Sequence, residues 1–390
     1  MALVRRPAAV AATAAVLVAL FVVLRLAAHG WQPGSFVVAG DAFVDPDRAP
    51  AELVVARGST GYDGQFVYRL ALDPTTDQLT DRGIRLDNPA YRAQRIGLPA
   101  MGWLVDRIPG LPLSAALILV NALALVGVAY AGARLASTYG RAPAWGLLIA
   151  LSPALLISLS RDLTEPLATL GLVSGLLLWI DRRYAYAVAA FCLGALTRET
   201  TLVVLAGMGV WQLLPGVGRT SAERAGRWRR ALWLLVPLAV VVGWQAVVHA
   251  TWGSWPAGSS SGNLGLPVVG VARTIFRGAG SWSALDRTDL LAHFFLFERL
   301  LLAAFLLYVG FSLARSRLPA EIRLGWVLAA VLAVSASGWA HDVQFLRAAN
   351  EAVTVGLLVL LARPGRAARP VLAATGGLAA AVALVHAVAL

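Results

Sequence analysis

The residues that could do chemistry in this chain are carboxylates and arginines set among small and aromatic neighbours. The run Ser59-Thr60-Gly61-Tyr62-Asp63-Gly64-Gln65-Phe66 places one carboxylate between a tyrosine and a glycine. Tyr62, Phe66 and Leu70 then recur at i, i+4 and i+8, with Val67 and Ala71 beside them, the stripe of a short helix lying on a membrane surface. Pro74 marks its end. Asp63 falls in the first turn, where a carboxylate suits the helix dipole. Gly61 and Gly64 let another group come close to the backbone there, so the same carboxylate could accept a proton from a bound hydroxyl. Spacing alone leaves both roles open.

Other charges gather in four short stretches. Arg92 and Arg95 open the segment 91–108, in which Trp103 suits the headgroup level. Arg161, Asp162 and Glu165 lie in 158–170, and Arg198 and Glu199 in 194–204. His341, Asp342, Arg347 and Glu351 lie in 338–353. Ionisable groups at membrane depth are costly and default to a functional role; the plainer alternative is mutual ion pairing that staples helix ends.

These groups must be carried by membrane-spanning helices. Of 390 residues, 58% are hydrophobic and 14% charged, with mean hydropathy +0.71, more apolar surface than a soluble chain of this length could hide. Apolar runs fall at about 8–28, 111–133, 142–160, 163–180, 184–196, 200–214, 231–250, 291–314, 324–340, 350–362 and 370–390. The expected fold is therefore all-α: a single polytopic domain over 1–390 with about 11 spans. With a cytoplasmic N-terminus, seventeen of the 33 arginines face only Asp181, Glu223 and Glu321 inside, a net +14, and the outside sums to −2. That asymmetry orients the chain in a plasma membrane. It makes 29–110 a large first extracytoplasmic loop carrying surface-lying helices and 251–290 a second, so the chemistry faces outward.

Several classes drop out. The net charge of +12 is dispersed in inter-helix clusters rather than along one solvated face, which excludes nucleic acid. The single Cys192 excludes an intrachain disulfide. Gly258-Ser259-Ser260-Ser261-Gly262 fits the nucleophile pattern of hydrolases but has neither the strand before it nor the helix after it. The five histidines have no paired metal spacing, and no Walker-type phosphate loop is present. Trp252 and Trp255 suit an interfacial aromatic belt.

The motif order resembles the GT-C superfamily of membrane glycosyltransferases, and within it the GPI mannosyltransferase II type and its bacterial relatives. The aromatic-Asp-x-x-aromatic pattern is Tyr62-Asp63-Gly64-Gln65-Phe66, followed by Leu70-Ala71. The segment that begins a span in that family is matched by Thr164-Glu165-Pro166-Leu167, and its turn between short helices by Ala195-Leu196-Thr197-Arg198. The likeness covers about 60–210; the family's Phe-Pro-Leu-aromatic-Pro run is replaced by Arg95-Ile96-Gly97-Leu98-Pro99. The resemblance implies a hexosyltransferase, mannosyl-like, with a polyprenyl-phosphate-linked sugar as donor and a lipid or glycan as acceptor among the membrane lipids. Asp63 would be its base. Arg95, Arg198 and Arg347, at outer span ends, would bind the donor phosphate. Tyr62, Gln65, Arg92, Arg161, Asp162, Glu165, Glu199 and Asp342 would shape the site. No cofactor is certain; a divalent cation, if there is one, would be held by Asp63, Asp162 and Glu165. A membrane transporter or lipid flippase, and a non-catalytic assembly subunit, are the rival classes.

Overall fold

The computed structural model describes residues 6–214, 221–258, 264–279, 287–340 and 344–365, with a few positions beyond 372. The chain divides into two compact units, one of Met1–Leu202, Leu235–Ser259 and Thr375–Leu390, the other of Val203–Leu234 and Ser260–Ala374.

In the first unit α1 (Pro7–Ala28) starts with proline in its first turn, where the missing N–H costs nothing. The segment 29–110 is a small mixed layer rather than surface helices alone. Strand β1 (Ala39–Gly40) pairs in parallel with β2 (Val55–Ala56), and β3 (Thr80–Asp81) forms a hairpin with β4 (Ile84–Arg85). Arg82 and Gly83, both at positive φ (46° and 73°), make its two-residue turn, whose twist matches the flanking strands. Between the strand pairs runs α2 (Gly64–Leu72), followed by α3 (Pro89–Ala93) and α4 (Gly97–Val105).

Helix α2 departs from the expected surface helix, since every residue from Gly64 to Ala71 is buried. Val67, Tyr68 and Ala71 pack with Leu113, Leu117 and Val120 of α5 (Leu113–Thr138). Phe66 and Leu70 pack with Ala90, Ala93 and Val248. Its polar side chains find partners within the protein: the Tyr68 hydroxyl donates to Glu52 at 2.6 Å, and one terminal nitrogen of Arg69 donates to Thr76 and the Gln78 carbonyl while the other faces Asp81 at 3.8 Å. A helix with partners for its polar face can be covered on all sides.

The apolar run at 142–160 is no single span. It breaks into a 3₁₀ turn (Pro143–Gly146), α6 (Leu147–Ala150) and α7 (Pro153–Leu159). Proline forces the residue before it out of the helical region, and Ala142 and Ser152 are accordingly extended, with ψ of 129° and 147°. Next come α8 (Glu165–Ile180) and α9 (Tyr184–Thr197), packed so closely that a Cβ on Gly171 would lie 2.5 Å from the Gly194 nitrogen. Helices α10 (Thr201–Leu213) and α11 (Ser221–Trp252) contribute residues to both units.

The second unit also holds α12 (Val269–Ala279), α13 (Arg287–Ser312), α14 (Ala320–Ser335), α15 (Gln344–Ala348) and α16 (Asn350–Leu361). Trp326 donates to the Ala352 carbonyl and Arg363 to Tyr308 and Ser312, tying α14 to α16 and the chain after α16 to α13. Arg227 donates to the carbonyls of Trp211 and Leu214, closing the C-terminal end of α10.

Among the described residues, four helices are long and apolar enough to cross a bilayer: Pro7–Ala28, Leu113–Thr138, Gly226–Trp252 and Phe294–Arg315. Four shorter apolar helices join them, at Glu165–Ile180, Tyr184–Thr197, Thr201–Leu213 and Asn350–Leu361. The molecule is a helical membrane protein. The run expected at 370–390 lies almost wholly outside the described residues.

Candidate active site

The site of interest in the first unit starts from two glycines. Gly61 has φ 63°, and a Cβ there would meet the Gly40 nitrogen at 2.6 Å and the Val38 carbonyl at 2.7 Å. A Cβ on Gly64 would sit 2.3 Å from the Arg161 carbonyl oxygen. Only glycine lets the head of α2 press against the turn between α7 and α8. Gln65, 1% exposed, locks the approach: its Oε1 accepts from the Gly40 N–H, and its Nε2 donates to the Thr60 carbonyl.

Asp63 stands at the α2 N-terminus, yet its side chain makes no capping hydrogen bond. The carboxylate instead accepts from Arg92 at 2.8 Å, with 32% of its side chain exposed against 14% for Arg92. Arg92 also donates through Nε and its second terminal nitrogen to both oxygens of Asp87, at 2.8 and 2.7 Å, and lies 4.2 Å from the Phe66 ring centre. Burial opposes the charge of Arg92, but the Asp87 and Asp63 carboxylates outweigh it and raise its pKa.

Three residues on, Arg95 donates to both oxygens of Glu199, at 2.9 and 2.6 Å, and to the Tyr91 hydroxyl. Gly97 permits this crossing, because a Cβ there would collide with Thr197. Burial works against the Glu199 charge, but the Arg95 guanidinium prevails and holds its carboxyl at about 2. Arg198 pairs with Glu165, which is fully buried at the start of α8. The Arg161 guanidinium lies over the Tyr62 ring, 4.9 Å from its centre. One unit thus holds Tyr62, Asp63, Gln65, Arg92, Arg95, Arg161, Asp162, Glu165, Arg198 and Glu199, at the head of α2, the end of α3 and the starts of α8 and α10.

Asp162 is fully buried at φ 48°, and neither carboxylate oxygen has a hydrogen-bond partner. Burial raises its pKa well above the usual carboxylate range, with Arg25 working against the rise and Glu52 adding to it. Asp41 is spent locally: it accepts from the N–H groups of Gly58 and Ser59, which lower its pKa. Arg347 belongs to the other unit, where it is 7% exposed on α15. Asp342 and His341 lie outside the described residues. Among the described residues no three His, Cys, Asp or Glu side chains come together as metal ligands. Of the three carboxylates considered for a cation, Asp63 and Glu165 each face a guanidinium, and Asp162 has neither oxygen hydrogen-bonded.

Sequence reasoning missed Asp87, the anchor of Arg92. Its signal was the Asp87-Asn88-Pro89 helix start, and the Asn88 side chain does accept from the Tyr91 N–H. Glu52, which binds Tyr68 and Ser114, carried no signal at all. Glu298 and Arg299, 1% and 7% exposed on α13, were visible only as adjacent charges inside an apolar run.

No family model matches the chain, and none of the curated proteins matches it. Among solved structures it is similar to the crystal structure of the Archaeoglobus fulgidus oligosaccharyltransferase in the apo form, at 14% identity and a TM-score of 0.48. The superposition covers 97% of this chain and 56% of that one, so the chain spans little more than half its length. At that identity and score the likeness is too loose to assign an activity.

Proposed function

We propose that the chain is an integral membrane glycosyltransferase of the GT-C kind, moving a mannose-like hexose from a polyprenyl-phosphate carrier to a lipid or glycan acceptor. The observation that carries this reading is Asp63 at a glycine-lined junction, its side chain making no capping hydrogen bond and accepting from Arg92, with Arg161 over the neighbouring Tyr62 ring. Asp63 would take the proton of the acceptor hydroxyl as that oxygen attacks the anomeric carbon. The bond from that carbon to the phosphate oxygen breaks on the opposite face, so the centre inverts and the carrier leaves as its phosphate. At least one of the candidates Arg95, Arg198 and Arg347 is proposed to donate hydrogen bonds to the phosphate. In Arg95 the bonds to Glu199 and Tyr91 use Nε and one terminal nitrogen, which leaves the other for an anion. The site would face outward across a plasma membrane that the chain crosses several times, with its N-terminus in the cytoplasm.

The test is turnover by purified protein offered a panel of labelled polyprenyl-phosphate sugars. Asp63→Asn keeps the size of the side chain and removes its basicity. That variant should insert and bind donor normally and turn over at least about a hundredfold more slowly, the usual range for a lost general base being about 10²–10⁴. Near-normal turnover would remove Asp63 from the chemistry. A transporter or flippase is the second reading, favoured by one observation: Glu298 and Arg299 lie buried within the candidate span Phe294–Arg315. Protein in liposomes that translocates lipid-linked sugar without forming a product would support it.

A further inference from the structure

A residue that caps a helix with its own side chain adopts extended backbone angles, so that the side chain loops over the first free N–H groups. Asp63 does not. Its φ and ψ are −57° and −25°, already helical, and no N–H of α2 reaches its carboxylate. What sets the direction of the carboxylate must lie off the helix.

Arg92 is such a group, and Arg92 is itself immobilised. Asp87 grips it as a two-bond fork, and the Phe66 ring supports one face of the guanidinium. The Asp87 Oδ1 also accepts from the Asn88 N–H at 2.6 Å, which fixes the anchor to the start of α3. Phe66 is one turn along α2 from Asp63. Fork, ring and carboxylate therefore set the guanidinium plane relative to α2, and one terminal nitrogen of Arg92 is aimed at Asp63 Oδ1. Among the described residues, Arg95 acts on Asp63 from a distance, and Arg161 lies over Tyr62.

We infer that Arg92, anchored by Asp87, is a positioning residue that holds the Asp63 carboxylate in the orientation in which it meets the acceptor hydroxyl. The inference rests on Asp63 being the base. It assigns Arg92 and Asp87 the part of the third group that orients a base in other active sites, and separates Arg92 from the arginines proposed to bind phosphate.

The test is a double-mutant cycle on turnover, in variants whose insertion and thermal unfolding match the parent. Arg92→Gln should lower turnover about 10–100-fold, the scale of a misplacement near 1 Å, and leave the donor KM unchanged. Arg92→Lys should restore little, because a point charge cannot hold two carboxylates in one plane. In the Asp63→Asn background, Arg92→Gln should cost nothing more, since it acts only through the carboxylate already disabled. Losses that multiply, or a raised donor KM, would show Arg92 touching substrate and overturn the inference. Normal turnover in Arg92→Gln beside a slow Asp63→Asn overturns it and leaves the base reading intact; normal turnover in Asp63→Asn sinks both. If Arg92→Gln does not fold, Asp87→Asn replaces it, because that variant keeps the Arg92 guanidinium and loosens only the fork that anchors it. It should slow turnover in the parent and not in the Asp63→Asn background, and the reverse pattern overturns the inference.

Discussion

Charge pairing sets the chemistry at the scale of single residues. Arg95 and Glu199 form a two-bond pair whose stability depends on pH with a definite sign. The folded pKa of Glu199, about 2, lies below its unfolded value of 4.5. Its contribution is therefore complete above pH 4.5 and lost as pH falls toward 2. The full shift corresponds to an effect on the order of 3 kcal/mol. Thermal unfolding in detergent at pH 6 and pH 3 should show the parent losing more stability on acidification than Arg95→Gln. Equal acid sensitivity in the two proteins would mean that the pair contributes nothing. Asp63→Asn belongs to the same scale but acts on rate: a helix-start carboxylate contributes only about 0.3–1 kcal/mol of stability, so the variant separates base from dipole partner.

Close approach decides what the elements can do. Helix α2 reaches the α7–α8 turn only because position 64 has no side chain, the ideal Cβ lying 2.3 Å from one backbone carbonyl oxygen and 2.7 Å from another. Neither is the far end of a flexible side chain. Gly64→Ala must therefore push the elements apart, and overpacking of this kind costs about 1–3 kcal/mol. It should lower the unfolding temperature and slow turnover together. Gly243→Ala on α11 is the matched control, because nothing lies within 4 Å of a Cβ there. That change should be neutral or stabilising by up to about 1 kcal/mol, since alanine is the better helix former. If Gly64→Ala is as benign as Gly243→Ala, the junction at the head of α2 is not tightly packed. The broken run at 142–160 makes the same point about elements: Pro143 opens it as a 3₁₀ turn and Pro153 separates α6 from α7, so what composition presents as one span is three short pieces.

For the whole molecule, the +14 against −2 split of charges between alternate loops predicts the sidedness. In a background lacking Cys192, a membrane-impermeant thiol reagent applied from outside should label Asp77→Cys and leave Glu223→Cys untouched. Asp77 is exposed, so its labelling reports the side of the membrane rather than burial. The reverse pattern would invert the topology and put the proposed site in the cytoplasm.

Composition and period determined the class of this protein without any coordinates. Apolar runs of about 20 residues have one stable solvent, and helices at 7–28, 113–138 and 221–252 appear close to where hydropathy puts them. The helix behind Asp63 was legible as well, because its i, i+4, i+8 stripe and the terminating Pro74 are local signals. The surroundings of that helix were not. Amphipathicity shows that one face needs cover but not whether membrane, water or protein lies against the other, and here protein encloses both. The pairings were equally hidden: Arg95 finds Glu199 across 104 positions, and Arg92 divides itself between Asp87 and Asp63. Sequence lists the charges in order along the chain. Which carboxylate meets which guanidinium is a question of distance in space, set by close contacts at Gly64 and Gly97 that only the tertiary structure creates.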